Sequence, residues 1–303
     1  MDRKRILYAF STDPVVSPFD VNVAYDAGFD VVYPLAGATP ESATGLVQDI
    51  IFSRGVSGTK ATAIFVGGAD LDRVEAIGAA AARAMFKPFQ VPAFLDPKGA
   101  YTTAAALVAK VEQGLARRGA GGLGGKAVAV LGGTGPVGRV AGALAASGGA
   151  RVTLVETLAG AEARRAAERV AASAKARYGV DLAVAQAAAP GEAAALREAE
   201  VVLATAKAGV QVLPRAVLET LPAVRLAADV NAVPPAGVEG LDARADLVDL
   251  TPRAAGIGAL AVGDLKMKVE LDLMRRLLDE PDRGRVLDHR AALEAARALL
   301  AGK

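Results

Sequence analysis

Short apolar runs alternate along the chain with stretches whose apolar positions recur at helical spacing. In the first third the runs are Ile6 to Phe10, Val31 to Tyr33, Ile64 to Val66 and Val91 to Leu95. Between them the spacing predicts a helix from about Pro18, one opened by Thr39-Pro40, one through Ala84 and one from about Thr102 to Leu115. Thr39-Pro40 is a good start signal, because the hydroxyl caps an orphan backbone N–H and proline suits the first turn. Strands alternating with helices of this length call for a parallel α/β sheet, since parallel neighbours need a long crossover.

Gly119-Ala120-Gly121-Gly122-Leu123-Gly124-Gly125 then places five glycines in seven residues, the composition of a hinge or domain junction. Beyond it, Ala127 to Leu131 is an uninterrupted apolar strand of the kind buried on both faces. It runs directly into Gly132-Gly133-Thr134-Gly135-Pro136-Val137-Gly138. The alternation resumes through Val152 to Val155, Leu182 to Val184, Val201 to Ala204 and Leu226 to Val230. From Asp264 onward the chain reads as wholly helical, with Asp264 capping a helix that starts at Leu265 and buries Leu265, Val269, Leu273 and Leu277.

Composition narrows the chemistry. The 303 residues are 52% hydrophobic, 22% charged and 4% aromatic, with 35 Lys and Arg against 33 Asp and Glu. Near-balanced charge gives no long-range field for phosphate backbones or anionic lipid, so no nucleic-acid or membrane partner is expected. With no Cys there is no thiolate metal site or thiol nucleophile, and no metal is expected. The single His, His289, sits beside Asp288 at the start of the last helix and reads as a helix-terminus residue unless the site recruits it. The apolar run Ile6 to Phe10 is too short for a secretory signal, and Ala127 to Gly138 is too short and too glycine-rich to span a bilayer. The expectation is a cytoplasmic protein.

Gly133-x-Gly135-x-x-Gly138 between a strand and a helix is the context that the dinucleotide fingerprint requires. One glycine allows the tight turn, one lets backbone N–H groups approach the pyrophosphate, and one lets helix and strand pack closely, while the helix N-terminus favours the anion. Glu156 ends the next strand, where a carboxylate accepts from the ribose hydroxyls and repels a 2′-phosphate. NAD is therefore expected over NADP, although strand-end carboxylates are often merely solvated. The fold expectation is α/β: an amino-terminal lobe over 1–118, a Rossmann-type dinucleotide-binding domain over 119–263, and C-terminal helices over 264–303 returning to the first lobe.

Several blocks occur in one order: Asp13 with Phe19-Asp20-Val21 and Tyr25-Asp26, Ala63-Ile64-Phe65-Val66-Gly67-Gly68-x-Asp70, Leu95-Asp96, and Thr102-Thr103-Ala104-Ala105-Ala106. They continue as Gly133 to Gly138, Ala228-Asp229-x-Asn231-Ala232-x-Pro234-Pro235, and Gly258-Ala259-Leu260 with Leu265-Lys266-x-Lys268. From about Tyr8 to Leu278 the sequence resembles the bacterial NAD(P)-dependent methylene-tetrahydromethanopterin dehydrogenases. The resemblance implies hydride transfer from a one-carbon unit on a reduced pterin, of the tetrahydromethanopterin or tetrahydrofolate type, and a homo-oligomer. Where NADP-specific members carry a Gly-Arg-Lys-like segment, this chain has Glu156-Thr157-Leu158, which again favours NAD. Tyr101 also departs from an Asn, and Val262-Gly263-Asp264 from an Ile-Gly-Gly-like turn.

Removing hydride from the carbon between N5 and N10 leaves a delocalised cation and obliges no proton transfer, so a site without His or Cys suffices. The resemblance places Lys266, Thr103 and Asp20 at the reacting centre, with Asp13, Asp96 and Thr102 on the substrate. Gly133 to Gly138, Glu156, Thr157, Ala206, Lys207 and Asn231 fall on the cofactor. Each has a plainer reading. Asp20, in Ser17-Pro18-x-Asp20, fits a capped helix start, and Thr102 and Thr103 fit caps of their own helix. Lys207 fits a solvated loop, and Lys266 fits an i,i+4 pair with Glu270. Lys266 in the first turn of a helix starting at Leu265 would oppose the macrodipole, which argues for another use. The competing functions are a methylene-tetrahydrofolate dehydrogenase and a non-catalytic dinucleotide sensor.

Overall fold

The computed structural model describes residues 3–156, 160–187, 194–280 and 282–302. The chain divides into two compact units. One comprises residues 1–102 and 267–295, the other residues 103–266 and 296–303. The borders fall inside helices, and the glycine run 119–125 lies within the second unit.

The first unit opens with β1 (Ile6–Ser11), α1 (Pro18–Ala27), β2 (Val31–Leu35), α2 (Pro40–Thr59), β3 (Thr62–Gly67), α3 (Leu71–Ala84) and β4 (Ala93–Leu95). Helix α4 (Ala100–Arg117) follows. Local chemistry sets the boundaries. Thr39 and Ser42 form a reciprocal capping box at α2, Asp70 accepts from Arg73 N at 3.0 Å to cap α3, and Gly28 ends α1 in the left-handed region. Every residue of β3 is buried, as befits the centre of a covered parallel sheet.

The second unit carries β5 (Ala127–Leu131), α5 (Pro136–Ser147), β6 (Arg151–Glu156), α6 (Ala161–Tyr178), β7 (Ala183–Gln186), α7 (Ala194–Glu198) and β8 (Val201–Ala204). It continues with α8 (Arg215–Thr220), β9 (Leu226–Asp229), β10 (Asp246–Asp249) and β11 (Ala255–Ile257), and α9 (Ala259–Asp279) begins in it. The sheet order is β10-β11-β9-β8-β5-β6-β7, parallel except for edge strand β10. Strand β5 lies between β6 and β8, so the direction of winding reverses beside it, the switch point at which doubly wound sheets bind ligands.

The chain then returns to the first unit as β12 (Val286–Leu287) and most of α10 (His289–Leu300). Strand β12 pairs with β4, giving the parallel order β12-β4-β3-β1-β2. The segment from Asp264 is thus not wholly helical: α9 ends at Asp279, and the apolar pair Val286-Leu287 completes a sheet edge, with Arg285 O accepting from Ala93 N at 3.0 Å. The helix expected at Leu265 begins six residues earlier, at Ala259, because Gly258 turns the chain into it and Val262 N already donates to Gly258 O. Asp264 is therefore interior and caps nothing. Leu265, Val269, Leu273 and Leu277 are buried. At α10, Asp288 accepts from Arg290 N at 2.8 Å, which makes His289 a helix-terminus residue. Its buried ring also packs edge-on against Tyr101 at 5.3 Å. Strands β10 and β11 and the short helices α7 and α8 have no counterpart among the expected elements.

Candidate functional site

In the second unit, the glycine loop, Glu156, the Thr205 to Gly209 loop and Asn231 all follow the carboxyl ends of parallel strands β5, β6, β8 and β9. The four glycines of the first loop do different work. Gly132 adopts φ +77°, and a side-chain carbon on it would meet Ala206 backbone at 2.6 Å. On Gly133 that carbon would meet Leu154 at 2.7 Å, and on Gly138 it would meet Thr205 Oγ1 at 2.6 Å and Gly133 Cα at 2.7 Å. These three are glycine because protein atoms fill the space. Gly135 is not: its backbone is ordinary extended chain (φ −72°, ψ 162°), and the nearest atom to an added carbon is Gly132 O at 3.6 Å. Nothing among the described residues requires a glycine there. Pro136 and Val137 open α5 directly behind it, and Thr134, between the glycines, is half-buried.

Glu156 is the last residue of β6 and is buried, with only 6% of its surface exposed. Thr157 lies outside the described residues. Ala206 closes over Gly132, whereas Lys207 is exposed. Asn231 is a crosslink: Oδ1 accepts from Gly209 N at 3.1 Å and Val233 N at 2.9 Å, and Nδ2 donates to Pro235 O at 2.9 Å. It ties the loop after β8 to the loop after β9. Beneath it, buried Asp229 accepts from Asn231 N at 2.8 Å and from Val238 N at 3.1 Å. Burial raises the Asp229 pKa above the usual carboxylate value, against the pull of those N–H groups. Asp229 was visible only as part of a sequence block; its signal is an acid ending an otherwise apolar strand.

In the first unit, Asp13 and Asp20 line one cavity of about 280 Å³ at the carboxyl ends of β1 and β3. Asp13 Oδ1 accepts from Ala69 N at 3.0 Å, which pins the loop after β1 to the loop after β3. Asp20 is buried in the first turn of α1, and Ser17 makes no side-chain cap there, so the plain capped-start reading fails for that serine. A carbon on Gly67 would come 3.4 Å from Asp20 Oδ2. Asp96 and Thr102 form one buried group: Thr102 Oγ1 donates to Asp96 Oδ2 at 2.6 Å, and Tyr101 N donates to Oδ1 at 2.8 Å. The helix starts at Ala100, not Thr102, so Asp96 takes the capping role expected of the threonines.

Thr103 is half-buried and is the first residue of the second unit, and half-buried Lys266 is its last before α9 passes to the first. With the helix starting at Ala259, Lys266 stands eighth in it, beyond the first turn where macrodipole opposition acts, and that argument for its function lapses. Among the described residues no group of three or more His, Asp or Glu could hold a metal ion, and no helix is long and apolar enough to cross a membrane.

Residues 18–98 match the family model described as methylene-tetrahydromethanopterin dehydrogenase, N-terminal. A protein of Methylorubrum extorquens named NAD(P)-dependent methylenetetrahydromethanopterin dehydrogenase is 37% identical over 295 residues, 97% of this chain and 98% of that one. The bifunctional protein MdtA of the same organism is 35% identical over 280 residues, 92% of this chain and 94% of its own. Among solved structures, aspartate transcarbamoylase from Trypanosoma cruzi aligns over 93% of this chain and 83% of its own at 16% identity and a TM-score of 0.49. No functional weight rests on that likeness. Kinship at this identity over nearly the whole of both chains decides the matter: the chain belongs to the methylene-tetrahydromethanopterin dehydrogenase family.

Proposed function

We propose that this chain is an oxidoreductase that transfers a hydride from N5,N10-methylene-tetrahydromethanopterin to NAD(P), with NAD preferred. The observation that carries the reading is the end-to-end similarity to a protein of that name. The site supports it through Gly135, which unlike Gly132, Gly133 and Gly138 is not held to glycine by neighbouring atoms among the described residues: an added carbon would meet Gly132 O at 3.6 Å and Thr205 O at 3.9 Å. One C–H bond breaks with both electrons, the carbon is left as the methenyl cation, and no proton moves.

The nicotinamide, when bound, supplies the hydride acceptor. The chain's own residues bind and orient. The Gly133 to Gly138 loop presents backbone N–H groups at the N-terminus of α5 to the pyrophosphate. Glu156 meets the adenosine ribose, where its carboxylate disfavours a 2′-phosphate, and Thr157 is the next residue of the same cofactor-binding assignment. Ala206, Lys207 and Asn231 shape the adjoining loops. Asp20, Thr103 and Lys266 act on the pterin at the reacting carbon, with Lys266 orienting the ring through hydrogen bonds. Asp13 contributes from the same cavity as Asp20, and Asp96 and Thr102 hold the turn that precedes α4. In this reading residues 1–118 serve the pterin, 119–263 the dinucleotide, and 264–303 complete the first lobe, in a cytoplasmic homo-oligomer.

Reduction of NAD followed by absorbance, with methylene-tetrahydromethanopterin and methylene-tetrahydrofolate in turn, tests the reading. Turnover with the first carrier is expected. Faster turnover with the folate carrier would move the assignment to a methylene-tetrahydrofolate dehydrogenase, and none with either would leave a dinucleotide sensor.

A further inference from the structure

Lys98 combines features that have no use in the fold itself. It adopts φ +48° and ψ +40°, the left-handed region that side chains other than glycine and asparagine avoid. Strain of this kind persists only where the surroundings impose it. Here they do: Asp96 is locked by Tyr101 N, Thr102 N and the Thr102 hydroxyl, and Pro97 and Gly99 flank Lys98 within the turn so fixed. The side chain is exposed, and among the described residues it has no ion-pair partner. It lines the cavity that also holds Asp13 and Asp20.

That cavity has the character of a heteroaromatic site. Phe10 and Phe65 supply apolar wall, with the Phe65 ring packed over Gly67, where an added carbon would meet it at 2.8 Å; buried Asp20 supplies a carboxylate, and Lys98 contributes the one cation of the lining. Its volume, about 280 Å³, falls just below the roughly 300–1,000 Å³ of pockets that take whole drug-sized ligands. It suits one ring system and not an entire one-carbon carrier. A 2-amino-4-oxopyrimidine edge presents donor, donor and acceptor in sequence. A carboxylate accepts only and an ammonium donates only, so Asp20 with Lys98 offers the complementary order.

We propose that Lys98 is a specificity-determining residue of the pterin site, donating to the 4-oxo oxygen of the ring while Asp20 accepts from its 2-amino and N3 hydrogens. The inference rests on the pterin reading above but concerns ring binding, which is measured without turnover. The probes are the fluorescent rings 2-amino-4-oxopteridine and 2,4-diaminopteridine, titrated at about pH 6.5, where both are mainly neutral and the oxo ring keeps its N3 hydrogen. The second places N–H donors where Lys98 also donates, so the protein is expected to bind the oxo ring at least about tenfold more tightly.

In Lys98→Asn and Lys98→Gly, residues at ease with positive φ replace the strained lysine. Both variants are expected to keep or raise the thermal midpoint while the oxo preference falls severalfold, to the remainder that Asp20 supplies through the N3 hydrogen the diamino ring lacks, and KM for the methylene carrier rises about tenfold with kcat held. A merely structural lysine would give the gain in stability without the loss of preference. Preference retained in both variants overturns the role of Lys98 and leaves the proposed function standing. So does failure of the wild-type protein to bind either ring while it still reduces NAD with the methylene carrier. Absence of both ring binding and NAD reduction overturns the proposed function and this inference together.

Discussion

The carboxyl ends of the two sheets are built from different materials. In the second unit the candidate site is mostly backbone: a glycine loop, a helix N-terminus, and loops tied by Asn231 and Asp229. In the first it is mostly side chain, with Asp13, Asp20 and Lys98 carried by three separate segments into one cavity. A site made of backbone needs glycines at fixed spacing and so leaves a contiguous signature in the sequence. A site made of side chains needs only that the right residues meet, and its members lie far apart in the chain.

The largest expected effect tests whether the first half of this contrast is about ligand or about packing. Gly135→Val puts a branched side chain where an added carbon meets no described atom closer than Gly132 O at 3.6 Å, on a backbone that any residue adopts. It should lower NAD affinity at least about a hundredfold, or roughly 2.7 kcal/mol, with thermal stability close to wild type. Gly138→Val drives a carbon into Thr205 Oγ1 and Gly133 Cα and should cost stability first, at about 1–3 kcal/mol or more for overpacking. Calorimetric titration together with thermal unfolding separates the two. Wild-type NAD affinity in Gly135→Val would reduce the loop to a structural turn.

This contrast also accounts for what could be read in advance. Strands β5 and β8 are legible to the residue because both faces are covered and the apolar run is continuous. Strands β10 and β12 are not, since Asp246–Asp249 is an exposed edge and Val286–Leu287 is two residues long. Neither carries a periodicity to detect. The start of α9 reads as Leu265 in the sequence because Gly263 and Asp264 look like a turn and a cap, whereas the turn is made at Gly258 and Gly263 is carried within the helix. In the candidate sites, Gly135 announces itself by motif. Lys98 does not, because its distinguishing property is a backbone angle, and nothing in Asp96-Pro97-Lys98-Gly99 marks a lysine as left-handed.

The next effect concerns the residue proposed to orient the pterin at the reacting carbon, which belongs to neither of these loop clusters. Lys266→Ala should lower turnover about tenfold to a thousandfold by loss of orientation and charge placement, with NAD affinity little changed. Lys268 is exposed and two residues further along α9, on another side of the helix. Lys268→Ala should retain most activity. Equal tolerance of both changes in steady-state kinetics would return Lys266 to a surface role.

A smaller effect, about tenfold or roughly 1.4 kcal/mol, separates the cofactors. Catalytic efficiency with NAD should exceed that with NADP by at least that factor, because buried Glu156 closes β6 where the 2′-phosphate would lie. Glu156→Ala should narrow the ratio. A ratio unchanged by the substitution would mean that the backbone-built site selects its cofactor elsewhere.

The smallest effect contrasts the units through pH. Each holds a buried ionisable group displaced mainly by desolvation, and the displacements have opposite consequences. Burial lowers the His289 pKa below its ordinary value, and the Asp288 charge offsets only part of that. The unfolded chain therefore takes up a proton that the folded chain resists, and stability is lost as pH falls from about 6.5 toward the depressed folded value. Asp229 in the second unit is raised, again chiefly by burial, so its folded form resists ionising. Its contribution is present below the ordinary carboxylate pKa and is lost as pH climbs through the raised one. Thermal unfolding between about pH 4 and pH 8 should show the midpoint falling on the acid side below about pH 7. His289→Gln should flatten that acid limb alone, while Asp229→Asn should remove the opposing slope and leave the acid limb in place. An acid limb that persists unchanged in His289→Gln would place the pH sensitivity of the first unit on its carboxylates instead.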